Sequence, residues 1–371
     1  MTAVYVSCPI GDRTGGPEAL TLLVHALRQR GVEAALVPMR SFRGRQVPDE
    51  YSVYDYAVVD QLPRRDDAIL VLTEVSPIES HRELRQVAPE RTWMLWLSVN
   101  FSPIPAARYY RASEATGSLL PPGSEASGIP PLWPYDNEPL TGPGRTVREA
   151  ARRRGGWQPS NWRSIGVEAV SIRYAEQLVG QNINHGTQSS YGQGFVKGVL
   201  GREAFMLPEY VRPPRVGAQP RTPNLVLYNG KKGAWKIPEL RALVPEADFR
   251  PIENMTYDEV CMALASAAMY VEIGHLPGRD RLPREAASLG TPVVMLARGA
   301  GYCWEDFPIG VRYRIPYTID WAQRMAPIIR EVLADPTQID RDQQDYRAWV
   351  ATEPERYAQA MDAWAEELTR G

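Results

Sequence analysis

Lys231 and Lys232 stand between Gly230 and Gly233, directly after Asn229 and the apolar run Leu225 to Tyr228. Glycines let a backbone come close to an anion, and lysines supply charge to a diphosphate. The spacing is wrong for a Walker loop, and a surface turn with two lysines is the alternative. Further along, Gly278, Arg279, Asp280 and Arg281 form a charged loop, and Glu285 falls in the first turn of the helix after it, where the positive end of the dipole favours a carboxylate. Near the start of the chain, Gly15 and Gly16 precede Pro17-Glu18 and an apolar-periodic stretch, so backbone amides at a helix N-terminus could meet a phosphate or sugar oxygen. A tight turn would read the same way. Glu74 and the run Ser98 to Asn100 each follow an apolar strand. An acid that close to a strand end could orient or deprotonate a hydroxyl, or could be a hydrogen-bonded loop carboxylate. Arg145, Arg148, Arg152, Arg153, Arg154 and Arg163 form a local basic patch near Trp133, Tyr135 and Trp157. Such aromatics stack on sugar rings or bases and the arginines favour a phosphate-bearing acceptor; a solvated helix face is the competing account.

These residues must be positioned by strands and helices that alternate. Tyr270 to Leu296 reads as strand, charged loop, helix and strand, with Pro283 suited to the first helical position and Gly290 to the residue past the end. Strands are expected at Ala3 to Ser7, Ala34 to Val37, Tyr56 to Val59, Ala68 to Leu72 and Trp93 to Leu97, with a helix through Leu20, Leu23, Val24 and Leu27 and a polar one from about Pro77. Alternation of this kind means a parallel sheet, whose ligands bind beyond the carboxyl ends of the strands. From Ala115 to about Ser160 the composition turns to Pro, Gly and Ser, an irregular insertion. Pro208, Pro213, Pro214 and Pro220 make a stiff linker. After it the pattern restarts, with a strand near Phe249 that ends in Glu253-Asn254 and a capping box, Thr256 to Glu259, opening the next helix. Helical stretches are expected at about Asp320 to Ala334, Asp340 to Ala351 and Pro354 to Arg370.

The 371 residues suffice for two cores, and a net charge of −2 gives no global field for nucleic acid or membrane. Cys8, Cys261 and Cys303 are too few and too irregularly spaced for a disulfide framework or zinc site. No signal peptide or apolar span is present, so a cytoplasmic enzyme is expected.

The block from Gly278 to Val294 resembles the donor-site motif of GT-B glycosyltransferases, in which two glutamates with seven residues between them precede a "G-T-P-V-V" strand. Glu285 matches the second glutamate, whereas Pro277 stands where the first belongs. "HLPGRDRLPREAA" looks more like a divergent bacterial and phage branch, akin to the retaining family 4-like enzymes. "T-G-G-P-E", "V-L-T-E", "W-L-S-V-N", "T-Q-S-S-Y" and "Y-N-G-K-K-G" resemble further signatures of it, the last with Gly230 in place of a proline. The resemblance implies two Rossmann-like domains facing across a cleft: 1–207 for the acceptor, with the 115–160 insertion; 208–352 for the donor; and a helix in 353–371 that crosses back. It implies a nucleotide-diphosphate sugar as co-substrate, no cofactor and no metal. Gly15, Gly16, Asn229, Gly230, Lys231, Lys232, Gly278, Arg279, Asp280 and Arg281 would surround the donor, Glu285 would hold the ribose, and Glu253 and Asn254 the base. Glu74 and Asn100 are the expected catalytic positions, and Arg152, Arg153, Arg154 and Trp157 the acceptor contacts. The acceptor implied is a saccharide in surface-polymer synthesis. Alternatives are a hydroxymethylated base in phage DNA, or an inactive relative that binds glycan or a partner.

Overall fold

The computed structural model describes residues 2–74, 86–102, 179–217 and 219–370, together with 104, 107 and 110. The apolar runs become two sheets with parallel pairing throughout. The first holds β1 (Ala3–Cys8), β2 (Glu33–Pro38), β3 (Ala68–Thr73), β4 (Thr92–Trp96), β5 (Asn184–Thr187) and β6 (Phe205–Met206), in the order β2-β1-β3-β4-β5-β6. The second holds β7 (Thr222–Asn229), β8 (Asp248–Ile252), β9 (Ala267–Glu272), β10 (Val293–Ala297) and β11 (Arg314–Pro316), in the order β11-β10-β9-β7-β8. Every residue of β1 and β3 is buried, as strands covered on both faces must be. In each sheet the order reverses once, between β1 and β3 and between β7 and β9. Those switch points are where open α/β sheets accept ligands.

Helices α1 (Gly15–Arg28), α2 (Ser190–Gly198), α3 (Ile237–Leu243), α4 (Tyr257–Ser266) and α5 (Leu282–Ser288) connect or flank the strands. They are followed by α6 (Trp321–Ala334), α7 (Thr337–Asp342), α8 (Gln344–Ala351) and α9 (Glu353–Arg370). The capping box forms as its sequence demands: the Thr256 hydroxyl accepts from the Glu259 amide, and the Glu259 carboxylate accepts from the Thr256 amide at 2.7 Å. Helix α9 lies on the first sheet's side of the molecule. Its Trp364 meets Trp93 edge-on at 5.4 Å, and Asp362 pairs with Arg30 at 2.7 Å. Tyr357, Met361 and Leu368 join the core formed by β1, β2 and α1.

Two expectations need correction. Tyr56 to Val59 is not a strand: Val58 makes only an isolated bridge to Leu36, and at 44% exposure it lacks the two covered faces a strand here requires. The stretch from Asp340 to Ala351 is not one helix but breaks at Gln343, whose side-chain amide turns inward and pairs with both the N–H and the carbonyl of Val293, at 3.0 and 2.6 Å. The helix about Pro77 and the 115–160 insertion lie outside the described residues.

Candidate active site

The two switch points face each other across a cleft of about 790 Å³, within the usual range for ligand pockets. One wall comes from the first domain: the loop before α1, Glu74 beyond β3, and Leu97 and Ser98 beyond β4. The facing wall holds Asn229, Lys231 and Lys232 beyond β7, Glu253 and Asn254 beyond β8, and the loop that leads into α5.

Most of the cleft's cations are already paired. The Lys232 ammonium donates to both oxygens of Asp280, at 2.6 and 2.7 Å. Arg281 reaches across the cleft to Glu18 on α1 and lies 3.7 Å from Glu285. Arg279 pairs with Glu353 at the start of α9. Lys231, by contrast, has no carboxylate partner among the described residues; its amide is held by the Asn229 side chain at 3.0 Å. Burial pushes the Glu74 carboxyl up to about 7, against the opposing pull of the Leu97 and Ser98 amides. The Leu97 N–H donates to it at 3.0 Å. Burial also raises Glu285, opposed by Arg281 and Arg284, whereas at Glu18 burial is outweighed by Arg281 and Arg212, and its carboxyl is lowered.

The walls are joined by direct contacts. The Val99 N–H donates to the Pro277 carbonyl at 2.9 Å. A Cβ on Gly278 would stand 2.1 Å from the Leu97 carbonyl oxygen, so no other residue lets the loop come this close. His275 places Nε2 2.7 Å from Oδ1 of Asn100. Burial holds its imidazole well below the ordinary value, hence neutral. Asp306, beyond β10, accepts the amides of Ser190 and Tyr191 at 2.8 and 2.9 Å and so caps α2 from the opposite domain. Burial pushes its carboxyl up to about 6.

No protein-family model matches the chain, and no curated protein matches it in sequence. Solved structures do match. The chain is similar to sucrose-phosphate synthase from Thermosynechococcus elongatus, with a TM-score of 0.59 and 10% identity over 100% of both chains. It is similar to a glycosyltransferase from Rickettsia africae, with a TM-score of 0.56 and 10% identity over 100% of this chain and 99% of that one. Medicago truncatula UGT71G1 complexed with UDP-glucose gives a TM-score of 0.54 and 8% identity over 99% and 98%. The fold is GT-B.

Within the GT-B frame, Gly15, Gly16, Glu74, Asn229, Lys231, Lys232, Glu253, Asn254, Gly278, Arg279, Asp280, Arg281 and Glu285 all line the one cleft. Asn254 adopts φ 54°, a left-handed conformation that asparagine tolerates better than most residues. Gly230 does not line the cleft; a Cβ there would stand 3.0 Å from Glu253 and Pro251, so the glycine lets Glu253 pack down on the turn. Asn100 also departs from expectation. Its amide donates to the carbonyls of Ala107 and Tyr110, and its Oδ1 accepts from Tyr191 and faces His275. It therefore ties the domains together and is not among the residues that line the cleft. Arg152, Arg153, Arg154 and Trp157 lie outside the described residues.

Several residues that tie the cleft walls together carried no readable signal. Asp306 and Glu209 become important only through contacts distant in sequence. Glu209 pairs with Arg284, which is fully buried and also holds Glu353, joining the linker, α5 and α9 at 2.6 and 2.8 Å. His275 offered one clue, a polar residue between Gly274 and Pro277 at the end of a buried strand. Among the described residues, no helix is long and apolar enough to cross a membrane.

Proposed function

We propose that the protein is a glycosyltransferase that moves a sugar from a nucleotide-diphosphate sugar to a hydroxyl of a saccharide acceptor, as in surface-polymer synthesis. The observation that carries this is Glu74: a buried carboxyl at the carboxyl end of β3, brought to about 7 by its surroundings, on the cleft wall opposite Lys231 and the α5 loop. A carboxyl poised there suits a general base at neutral pH. The acceptor oxygen forms the new bond to the sugar carbon, the bond to the diphosphate breaks, and the acceptor proton goes to Glu74. Lys231 and the Gly15-Gly16 amides would meet the diphosphate charge as it develops, Glu285 the ribose hydroxyls, and Glu253 and Asn254 the base. The similarity to sucrose-phosphate synthase and to a protein complexed with UDP-glucose supports a sugar nucleotide of this class.

A saccharide acceptor is favoured over a DNA base because Arg212, Arg279 and Arg281 are each paired with a carboxylate, which leaves Arg13 and Lys231 as the cleft cations without such a partner among the described residues. The test is transfer and donor hydrolysis by the purified protein across a panel of UDP, GDP and ADP sugars, with and without excess EDTA. Metal-independent turnover of one donor is the expected result; activity abolished by EDTA and restored by Mg²⁺ or Mn²⁺ would refute the metal-free part of the scheme.

A further inference from the structure

The segment between β8 and α4 forms one edge of the second-domain wall, because β8 is an outermost strand of its sheet. Ile252, Glu253, Asn254, Met255 and Tyr257 line the cleft there. The segment is fixed at both ends. At its start the Ile252 carbonyl accepts from the Gly230 amide at 3.1 Å, and Glu253 rests on Gly230, its Oε2 3.0 Å from where a Cβ would stand. At its end Thr256 and Glu259 close the capping box of α4. Between them Asn254 is held at φ 54°, a left-handed strain of the sort that gathers at ligand sites. Glu253, Asp280 and Glu285 are carboxylates of this wall. Asp280 holds Lys232, and Glu285 lies beside Arg281. Glu253 is exposed and pairs with no cation, and neither its carboxylate nor the Asn254 side chain makes a hydrogen bond among the described residues.

We infer that the nucleotide this cleft takes is a guanosine diphosphate, and that Glu253 is the residue that selects the base. The inference rests on the proposed donor class and adds the base to it. The lysines and Arg281 of this wall follow β7 and β9, and β8 lies two strands from β9, roughly 10 Å at about 4.8 Å a strand. A diphosphate is drawn to those cations and repelled by an unpaired carboxylate, so Glu253 meets the uncharged end of the nucleotide. A carboxylate only accepts hydrogen bonds. Guanine alone offers it two neighbouring donors, N1–H and the 2-amino group, the bidentate arrangement a carboxylate takes best. Uracil sets its one N–H between two carbonyl oxygens, and adenine and cytosine set one amino group beside a ring-nitrogen lone pair. Each of those three turns an acceptor toward the carboxylate. Asn254, able to donate or accept, can meet guanine O6 but does not by itself choose between bases. Met255, 41% exposed beside them, offers an apolar surface to the ring.

Calorimetry on the full chain with GDP, IDP, UDP and ADP decides the matter, inosine lacking only the 2-amino group of guanine. The wild type is expected to bind GDP most tightly and IDP about tenfold less tightly, as loss of one charge-assisted hydrogen bond predicts. UDP and ADP should bind more weakly than IDP. Glu253→Gln puts a donor where one acceptor oxygen was, and should weaken GDP about 10- to 100-fold while UDP and ADP change by no more than about twofold. The comparison of GDP with IDP is read on the wild type and so does not depend on how the variant folds. A wild type that binds UDP, ADP or IDP as tightly as GDP overturns the inference. So does a GDP affinity untouched by Glu253→Gln, or an equal loss for all four nucleotides, which would place Glu253 on the ribose. None of these probes carries a sugar. Guanine selectivity without turnover of any GDP sugar would refute the transferase and leave the role of Glu253 standing, whereas turnover of a UDP or ADP sugar in preference to GDP sugars would do the reverse.

Discussion

Glu74→Gln tests catalysis and electrostatics together. The substitution keeps the side chain's shape and leaves an oxygen to accept the Leu97 N–H. As general base, Glu74 is worth about 10²- to 10⁴-fold in rate, so kcat should fall by that factor while nucleoside diphosphate affinity stays within twofold or so. The wild-type rate should rise with pH through a midpoint near 7, where the buried carboxyl ionises. Stability should move the other way. A carboxyl raised from its ordinary 4.5 to about 7 contributes stability that is fully present below 4.5 and is lost as pH rises through 7. At about 1.4 kcal/mol per pH unit, the ionised group costs roughly 3 kcal/mol at pH 8.5, a cost the glutamine does not incur. Urea unfolding of both proteins at pH 5 and pH 8.5 measures this, and the variant should gain on the wild type between the two. Comparing the pair cancels the parallel titrations of Glu272 and Asp306, raised by burial to about 7 and about 6. A variant that keeps its rate within threefold or so and shows no pH-dependent gain would refute the reasoning.

Three further outcomes follow from the geometry. Lys231→Ala should weaken nucleoside diphosphate binding by about 1.5 to 3 kcal/mol in calorimetry, because of the two lysines that line the cleft Lys232 is already held by Asp280 and Lys231 is not held by a carboxylate among the described residues; Lys232→Ala should cost less. Gly278→Ala forces a Cβ onto the Leu97 carbonyl, so the Val99–Pro277 hydrogen bond should break at a cost of about 1 to 3 kcal/mol, and small-angle scattering should show a larger radius of gyration. Arg284→Met leaves Glu209 and Glu353 buried without their shared cation and should lower stability by about 3 to 5 kcal/mol in a denaturant titration.

The two-sheet fold was legible because its strands are continuous apolar runs, Thr256 caps one helix and Pro283 lies in the first turn of another, and the turn at Gly290 uses a left-handed glycine. Strand ends could therefore be located, and with them the residues that line the cleft. The partner of each residue was not legible. Lys232, Arg279 and Arg281 read as cations awaiting phosphate, yet each faces a carboxylate, and two of those, Glu18 and Glu353, are far away in sequence. Asn100 sits where a catalytic side chain would, one turn past a strand, but its hydrogen bonds to Tyr191 and His275 come from elements no local pattern connects to it. Pro277, in place of a motif glutamate, contributes a backbone carbonyl to the domain contact, which side-chain reasoning does not reveal.

The most direct test of the account is single-turnover release of nucleoside diphosphate from a matched sugar nucleotide, by the wild type and by Glu74→Gln, with an acceptor saccharide present. The account predicts diphosphate release and acceptor glycosylation in equal amounts by the wild type, with the acceptor-dependent part lost in the variant. Tight donor binding without release from any sugar nucleotide would contradict it and leave the cleft as a binding site.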